Sequence, residues 1–206
     1  MKLYVIPGAC SLASHIALGW AQSPAEIAIL AHDDLAGPFA LLNPKAAVPA
    51  LVLEDGTVIT ESLAVLDYIT DLYPEANLGA RPGDIRGRAQ INEALAELVS
   101  DVHKAWGPYF APMRYVTEPA QHDSARQAAF IQLDKHYRRL DNVMAGREWR
   151  VLGHRTVADA YLYVMCSWKD KTPQPLAEYP ALAAFYARLE QDPAVQKARR
   201  TETVHA

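Results

Sequence analysis

Apolar and polar positions follow two different rhythms along the chain. The N-terminal third alternates short β-rich runs with helical stretches, whereas beyond residue 85 the apolar positions recur only at three- and four-residue steps. Residues 2–6 form a short apolar run that stops at Pro7-Gly8, the mark of a strand buried on both faces. Ser11 then stands at a cap position ahead of Leu12, Ile16 and Trp20, which repeat at helical spacing until Ser23-Pro24. Residues 25–30 read as a second strand, so the first thirty residues make a βαβ unit with parallel strands and a right-handed crossover. The segment 31–42 is acidic, then Gly-Pro, then weakly apolar, and predicts a loop with a short helix. Two further β-rich runs, 49–53 and 58–60, flank Glu54-Asp55-Gly56-Thr57, a hairpin signal. Ser62 is placed to cap a helix with Leu63, Leu66, Ile69 and Leu72 on one face, ending near Tyr73-Pro74.

Residues 75–84 turn to Asn, Gly, Pro and charge, as an interdomain linker does. Everything after them reads helical. Ile91, Leu95, Leu98, Val102 and Trp106 line one stretch, with a kink expected at Gly107-Pro108 because the ring removes a backbone donor. A second long helix spans 124–145 and closes at Gly146. Thr156-Val157-Ala158-Asp159 has the spacing of a capping box before the apolar helix 160–168, and a last helix at 179–191 precedes a polar tail. The predicted fold class is therefore α/β plus all-α: a βαβ-ββα domain over 1–78, a linker at 79–85, and an all-helical domain over 86–206.

Composition narrows the functions. Half of the 206 residues are hydrophobic, enough for a substantial core, and the net charge of -4 supplies no basic footprint for nucleic acid or an anionic membrane. No apolar stretch approaches membrane-spanning length, and the apolar run at the start is too short for a signal-peptide core, so the expected location is the cytoplasm. The two cysteines, Cys10 and Cys166, are far apart and read as free thiols. His and Cys do not cluster at ligand spacing, and no glycine-rich loop follows a strand, so neither a metal nor a nucleotide cofactor is predicted.

The candidate chemistry starts at Cys10, which lies where the first strand ends and the first helix begins. There the free amides and the helix dipole favour a thiolate, although a free Cys is more commonly a buried filler. Cys10-Ser11-Leu12-Ala13 lacks a second cysteine, so any redox cycle needs a soluble thiol. Val48-Pro49 opens the third strand and is either an ordinary trans Pro or a cis bond that turns the Val48 backbone outward. Glu61-Ser62 is either a simple cap or a carboxylate-and-hydroxyl pair at a helix start.

These residues carry a resemblance. Cys10 in Pro7-Gly8-Ala9-Cys10-Ser11-Leu12, Asn43-Pro44-Lys45 ahead of Val48-Pro49, Thr60-Glu61-Ser62, Val102-His103-Lys104 and Thr156-Val157-Ala158-Asp159-Ala160-Tyr161 together resemble the bacterial beta-class, cysteine-type glutathione S-transferases over nearly the whole chain. The resemblance implies a thioredoxin-like glutathione-binding domain followed by the family's helical domain. It also implies glutathione as co-substrate and a homodimer in which Asp101 faces the neighbouring subunit's site. By the same resemblance Cys10 lies at the glutathione sulfur, with Ala9 beside it and Ser11 as the rival donor. Val48, before a cis Pro49, pairs with the cysteinyl part, Glu61 and Ser62 hold the γ-glutamyl end, and His103 and Lys104 approach from the helical domain. Asn92, Ala96, Val99, His103 and Phe110 fall near one helical face, so His103 can point into the cleft. Trp106, Tyr109, Phe110 and Tyr115 are the aromatic material for an acceptor pocket, with at least half of the four expected in the core.

The sequence departs from the family pattern in three places. Residues 31–39 contain two Asp and no Lys or Arg, Arg155 replaces the usual apolar staple residue, and Ala96 stands where an amide side chain is found in relatives. The function implied is a glutathione transferase that attaches or exchanges the glutathione thiol with a small hydrophobic electrophile or a mixed disulfide. A non-catalytic ligand-binding member of the fold is the alternative. Cys166, His15, His32 and His136 are given no role.

Overall fold

The structure is a computed structural model that describes residues 1–169 and 172–203. Strand β1 (Lys2–Val5), helix α1 (Leu12–Trp20) and strand β2 (Glu26–Ile29) form the expected βαβ unit, with β1 and β2 parallel in the register Leu3–Ile27. Strands β3 (Ala50–Val52) and β4 (Val58–Thr60) are joined by the predicted hairpin, whose Gly56 sits at φ +85°, a conformation that favours glycine. The sheet order is β2-β1-β3-β4, with β3 antiparallel to β1. Helix α2 (Phe39–Leu42) is the short helix of the acidic segment, and α3 (Ser62–Leu72) returns across the sheet. Strand β1 is fully buried only at Leu3 and Val5; its other face is half-covered, because Tyr4 rests on the single Phe39 ring and Lys2 reaches out to Glu26. The expectation of burial on both faces is corrected to that extent.

Helix α4 (Ile85–Ala96) continues without a break into a π-helical stretch, Glu97–His103, and the chain then turns at Trp106 into α5 (Gly107–Phe110), where the kink was predicted. Ile91, Leu95, Leu98, Val102 and Trp106 are all buried. Helix α6 (His122–Met144) is followed by Gly146 at φ +69°. Helix α7 (Val157–Lys169) runs through the centre of the helical part, buried along almost its whole length and packed on α1. At its start the Asp159 carboxylate accepts from the Thr156 and Arg150 amides, each at 2.8 Å. The Thr156 hydroxyl donates to that same carboxylate at 3.1 Å instead of serving the Asp159 amide, so only the backward half of the predicted capping box forms. Arg155, in the staple position, lies over the Trp20 ring and pairs with Asp192 at 3.0 Å.

Helix α8 (Pro180–Leu189) matches the last predicted helix, but the chain beyond it is not a polar tail. Helix α9 (Pro193–Thr203) packs on α1, with Val195, Ala198 and Glu202 buried in a stripe. Its start is fixed by Asp192, which accepts from the amides of Ala194 and Val195 ahead of a helix with Pro at its first position. Charge at Lys197, Arg199 and Arg200 hides this helix in the sequence, because only a narrow stripe faces inward. Residues 204–206 of that tail lie outside the described residues, as do 170 and 171.

Candidate functional site

The turn between β1 and α1 carries Cys10 into the seam between the sheet domain and the helices. Ser11 does not cap α1 with its side chain: its hydroxyl is buried and accepts from the Ile6 amide at 3.2 Å, locking the turn from below. From the helical side, Trp168 Nε1 donates to the Gly8 carbonyl at 2.8 Å. Glu202 accepts from the Gly8 amide at 3.1 Å and lies 3.0 Å from His15 Nδ1. His15 thus has a partner that sequence reasoning did not find. Both backbone groups of Gly8 are held by residues 160 and 194 positions away, and the cysteine turn is a junction of the two halves of the molecule.

Cys10 opens into a cavity of about 360 Å³ between those halves. Its thiol donates to the Val48 carbonyl at 3.3 Å, and the Val48-Pro49 peptide is cis, as the family resemblance implies. The segment before it is organised by buried Asn43, whose side-chain amide donates to the Ala47 carbonyl at 2.7 Å while its oxygen accepts from the Lys45 amide. Glu61 adopts φ +69°, an uncommon conformation for a residue with a side chain and one that collects at working sites. Its carboxylate pairs with Lys45, and Ser62, expected as the cap of α3, is instead the first residue of that helix, buried against the cavity.

The opposite wall comes from the helical half: Val99, His103, Lys104, Gly107, Phe110, Arg114, Tyr115 and Tyr161. The π turn moves the inward face by about one residue relative to a regular helix, so Val99 and His103 reach the cavity while Asn92 and Ala96 do not. His103 Nδ1 lies 2.7 Å from the Tyr161 hydroxyl, and its ring meets Trp168 edge-on at 5.0 Å. Burial, helped by the charge of Lys104, lowers the His103 pKa to about 4, so the ring is neutral at neutral pH. Tyr115 rests on Gly107: a Cβ there would stand 2.0 Å from the Tyr115 hydroxyl, so only glycine permits this placement.

Of the residues singled out in the sequence, Cys10, Val48, Pro49, Glu61, Ser62, His103, Lys104, Phe110 and Tyr115 meet at the cavity. Ala9 and Ser11, the chain neighbours of Cys10, do not line it, and neither does Asp101, which is exposed and 3.8 Å from Arg139. Trp106 is fully buried and donates to the Tyr137 hydroxyl, and Tyr109 packs on Phe130, so these two are core supports for Phe110 and not pocket lining. No residue of 31–39 lines the cavity. Asn43, Lys45 and Tyr161 lay inside quoted motifs without an assigned role, and Arg114 carried no sequence signal.

The thiol itself differs from the sequence expectation. Burial pushes the Cys10 pKa up; the Ser62 hydroxyl and the amides of Cys10 and Ser11 oppose the shift, and the Glu61 charge adds to it. A helix N-terminus does favour the thiolate, but desolvation is the larger effect here.

The family model described as Glutathione S-transferase, N-terminal domain, matches residues 8–72, and the one described as Glutathione S-transferase, C-terminal domain, matches residues 100–200. Glutathione S-transferase GST-4.5 of Xanthomonas campestris pv. campestris is 38% identical over 203 residues, 98% of each chain. The glutathione S-transferase structure from Xylella fastidiosa superposes with a TM-score of 0.91 at 39% identity, covering 98% of both chains. A sphingomonad glutathione S-transferase complexed with glutathione gives 0.90 at 37%, covering 98% of this chain and 99% of that one. A bacterial beta-class enzyme from Sphingomonas chungbukensis gives 0.89 at 34%, again over 98% of both. A thioredoxin-like domain and a helical domain that meet at a cysteine-floored cavity, matched end to end by such relatives, place this chain in the glutathione S-transferase family.

Proposed function

We propose that the enzyme binds glutathione in the cavity between its domains and directs the glutathione sulfur to Cys10 or to an electrophile held against the helical wall. The observation that carries this reading is the division of the cavity. One wall offers peptide-binding groups, the Val48 backbone and the Glu61-Ser62 pair, and the other offers Phe110, Tyr115 and Val99. Glu61 and Ser62 take the charged γ-glutamyl end, where helix α3 begins.

With a mixed disulfide, the Cys10 thiolate attacks the glutathionyl sulfur, a new S–S bond forms as the old one breaks, and the other thiol leaves as its thiolate. A second glutathione thiolate then attacks the adduct, releases oxidised glutathione and restores Cys10. With a carbon electrophile, the glutathione thiolate displaces the leaving group directly. His103 acts in both by its hydrogen bond to Tyr161, since a ring with a pKa of about 4 is a poor proton store at neutral pH. Lys104 adds positive charge at the mouth.

The glutathione-binding domain spans 1–78 and the helical domain 86–206, with the linker at 79–85 around Gly83; the protein works as a homodimer with Asp101 toward its partner. Intact mass after incubation with oxidised glutathione tests the central step. A single glutathione adduct on the wild type that is absent from Cys10→Ala, with mixed-disulfide turnover lost in parallel, is expected. No adduct together with no turnover of a mixed disulfide or an aryl halide sinks the reading and leaves a ligand-binding member of the family.

A further inference from the structure

The charges around the cavity are unequal. Lys45, Lys104 and Arg114 line it against one carboxylate, Glu61, and Glu61 is paired with Lys45. His103, the remaining titratable base on the helical wall, is neutral. Among the described residues neither Lys104 nor Arg114 has an ion-pair partner, so two cations face the cavity uncompensated.

Their positions differ. Lys104 follows His103, next to the polar groups over Cys10. Arg114 lies beyond α5, in the short turn Pro112–Arg114, among Phe110, Ala111 and Tyr115. The Phe110 ring is braced by a stacked Trp106 at 5.3 Å and an edge-on Trp168 at 5.2 Å, while its exposed part borders the cavity. Tyr115 is seated on Gly107 beside it. An aromatic wall that Arg114 also lines, with no carboxylate on it, matches one ligand chemistry: a flat apolar body with an anionic group at its far end.

Resting on the glutathione-transferase reading above, we infer that the acceptor pocket prefers anionic aromatic electrophiles, with Phe110 and Tyr115 under the ring and Arg114 on its carboxylate. The reacting end of such a molecule then points toward Cys10 and the glutathione sulfur. The thiolate bonds to the benzylic carbon of, for example, a chloromethyl arene; the C–Cl bond breaks, chloride leaves with the electron pair, and the thiol proton goes to solvent. Glutathione itself carries carboxylates, so its glycyl end is the rival claimant for Arg114, but Val48, Glu61 and Ser62 stand on the other wall.

The test pairs para-(chloromethyl)benzoate with its methyl ester, each corrected for the uncatalysed rate. The wild type should favour the carboxylate in kcat/KM, and Arg114→Gln should reduce that preference about twofold to fivefold, the upper range for an ionic contact open to solvent. Arg114→Lys should restore part of it, and added salt should erode the wild-type preference. Calorimetry with S-(para-carboxybenzyl)glutathione against S-benzylglutathione reads the same preference without turnover. Loss of turnover with the binding preference intact would sink the enzymatic reading alone. Equal binding of the two conjugates, or an Arg114→Gln variant that raises the glutathione KM and keeps the wild-type preference, overturns the inference.

Discussion

At the scale of single residues, Cys10 illustrates two opposed effects of one position. Its place at the head of α1 is readable from Pro7-Gly8 and the periodicity of Leu12, Ile16 and Trp20, but the closure of the helical wall over it is not. Burial raises its pKa, so the ligand-free protein should be alkylated by iodoacetamide with a midpoint above the ordinary thiol value of about 8.5. Ser62→Ala removes a group that lowers the pKa and should move the midpoint further up; a midpoint near neutrality in the wild type would contradict this balance. His103 behaves in the opposite direction. Its folded pKa of about 4 lies below the ordinary value of 6.5, so its contribution to stability is present above that value and is lost as pH falls through about 4. Its ring resonances should therefore stay flat from alkaline pH down to about 5, the neutral range of a base with that pKa.

At the scale of elements, the signals that survived were periodicity and turn chemistry, and those that failed depended on which side chain a backbone group finds. Thr156-Asp159 was legible as a helix start, yet the Asp159 carboxylate also takes the distant Arg150 amide. Asp159→Ala leaves both amides without that acceptor and should cost about 2–4 kcal/mol in chemical denaturation, the price of several unmade buried hydrogen bonds. Burial raises the Asp159 pKa to about 6, so its titration favours the fold below the ordinary value of 3.8 and that contribution fades as pH rises through about 6. The loss caused by the substitution should accordingly be larger in mild acid than at neutrality. Helix α9 was missed because its polar surface outweighs its three buried positions. Glu202→Ala removes an acceptor of the Gly8 amide and the partner of His15, and should destabilise by about 1–3 kcal/mol while changing the rate of Cys10 alkylation.

At the scale of the whole molecule, the sheet domain and the helices share one continuous core that includes Cys10, Leu12 and Ile16 from α1 together with Tyr161 and Val164 from α7. Trp168 and Glu202 both hold Gly8 across this boundary. The two domains should therefore unfold together: denaturation followed by far-ultraviolet circular dichroism and by tryptophan fluorescence should give coincident curves. Two separate transitions would show that the seam contributes little. The proposed homodimer is tested by light scattering, where a monomer at micromolar concentration would remove it and with it the proposed role of Asp101.

The order of the strands and of the helices as far as α8, the hairpin at Gly56, the break before Pro108 and the cysteine turn were determined by the sequence itself, because each depends on neighbours within one or two turns of chain. Only the tertiary structure decided that Trp106 and Tyr109 are supports while Tyr161 and Arg114 face the cavity, and that burial outweighs the helix terminus at Cys10. The reason is physical. Desolvation and the choice of cavity wall depend on groups tens to nearly two hundred positions away, and a π turn that advances the inward face by a residue leaves no trace in local periodicity.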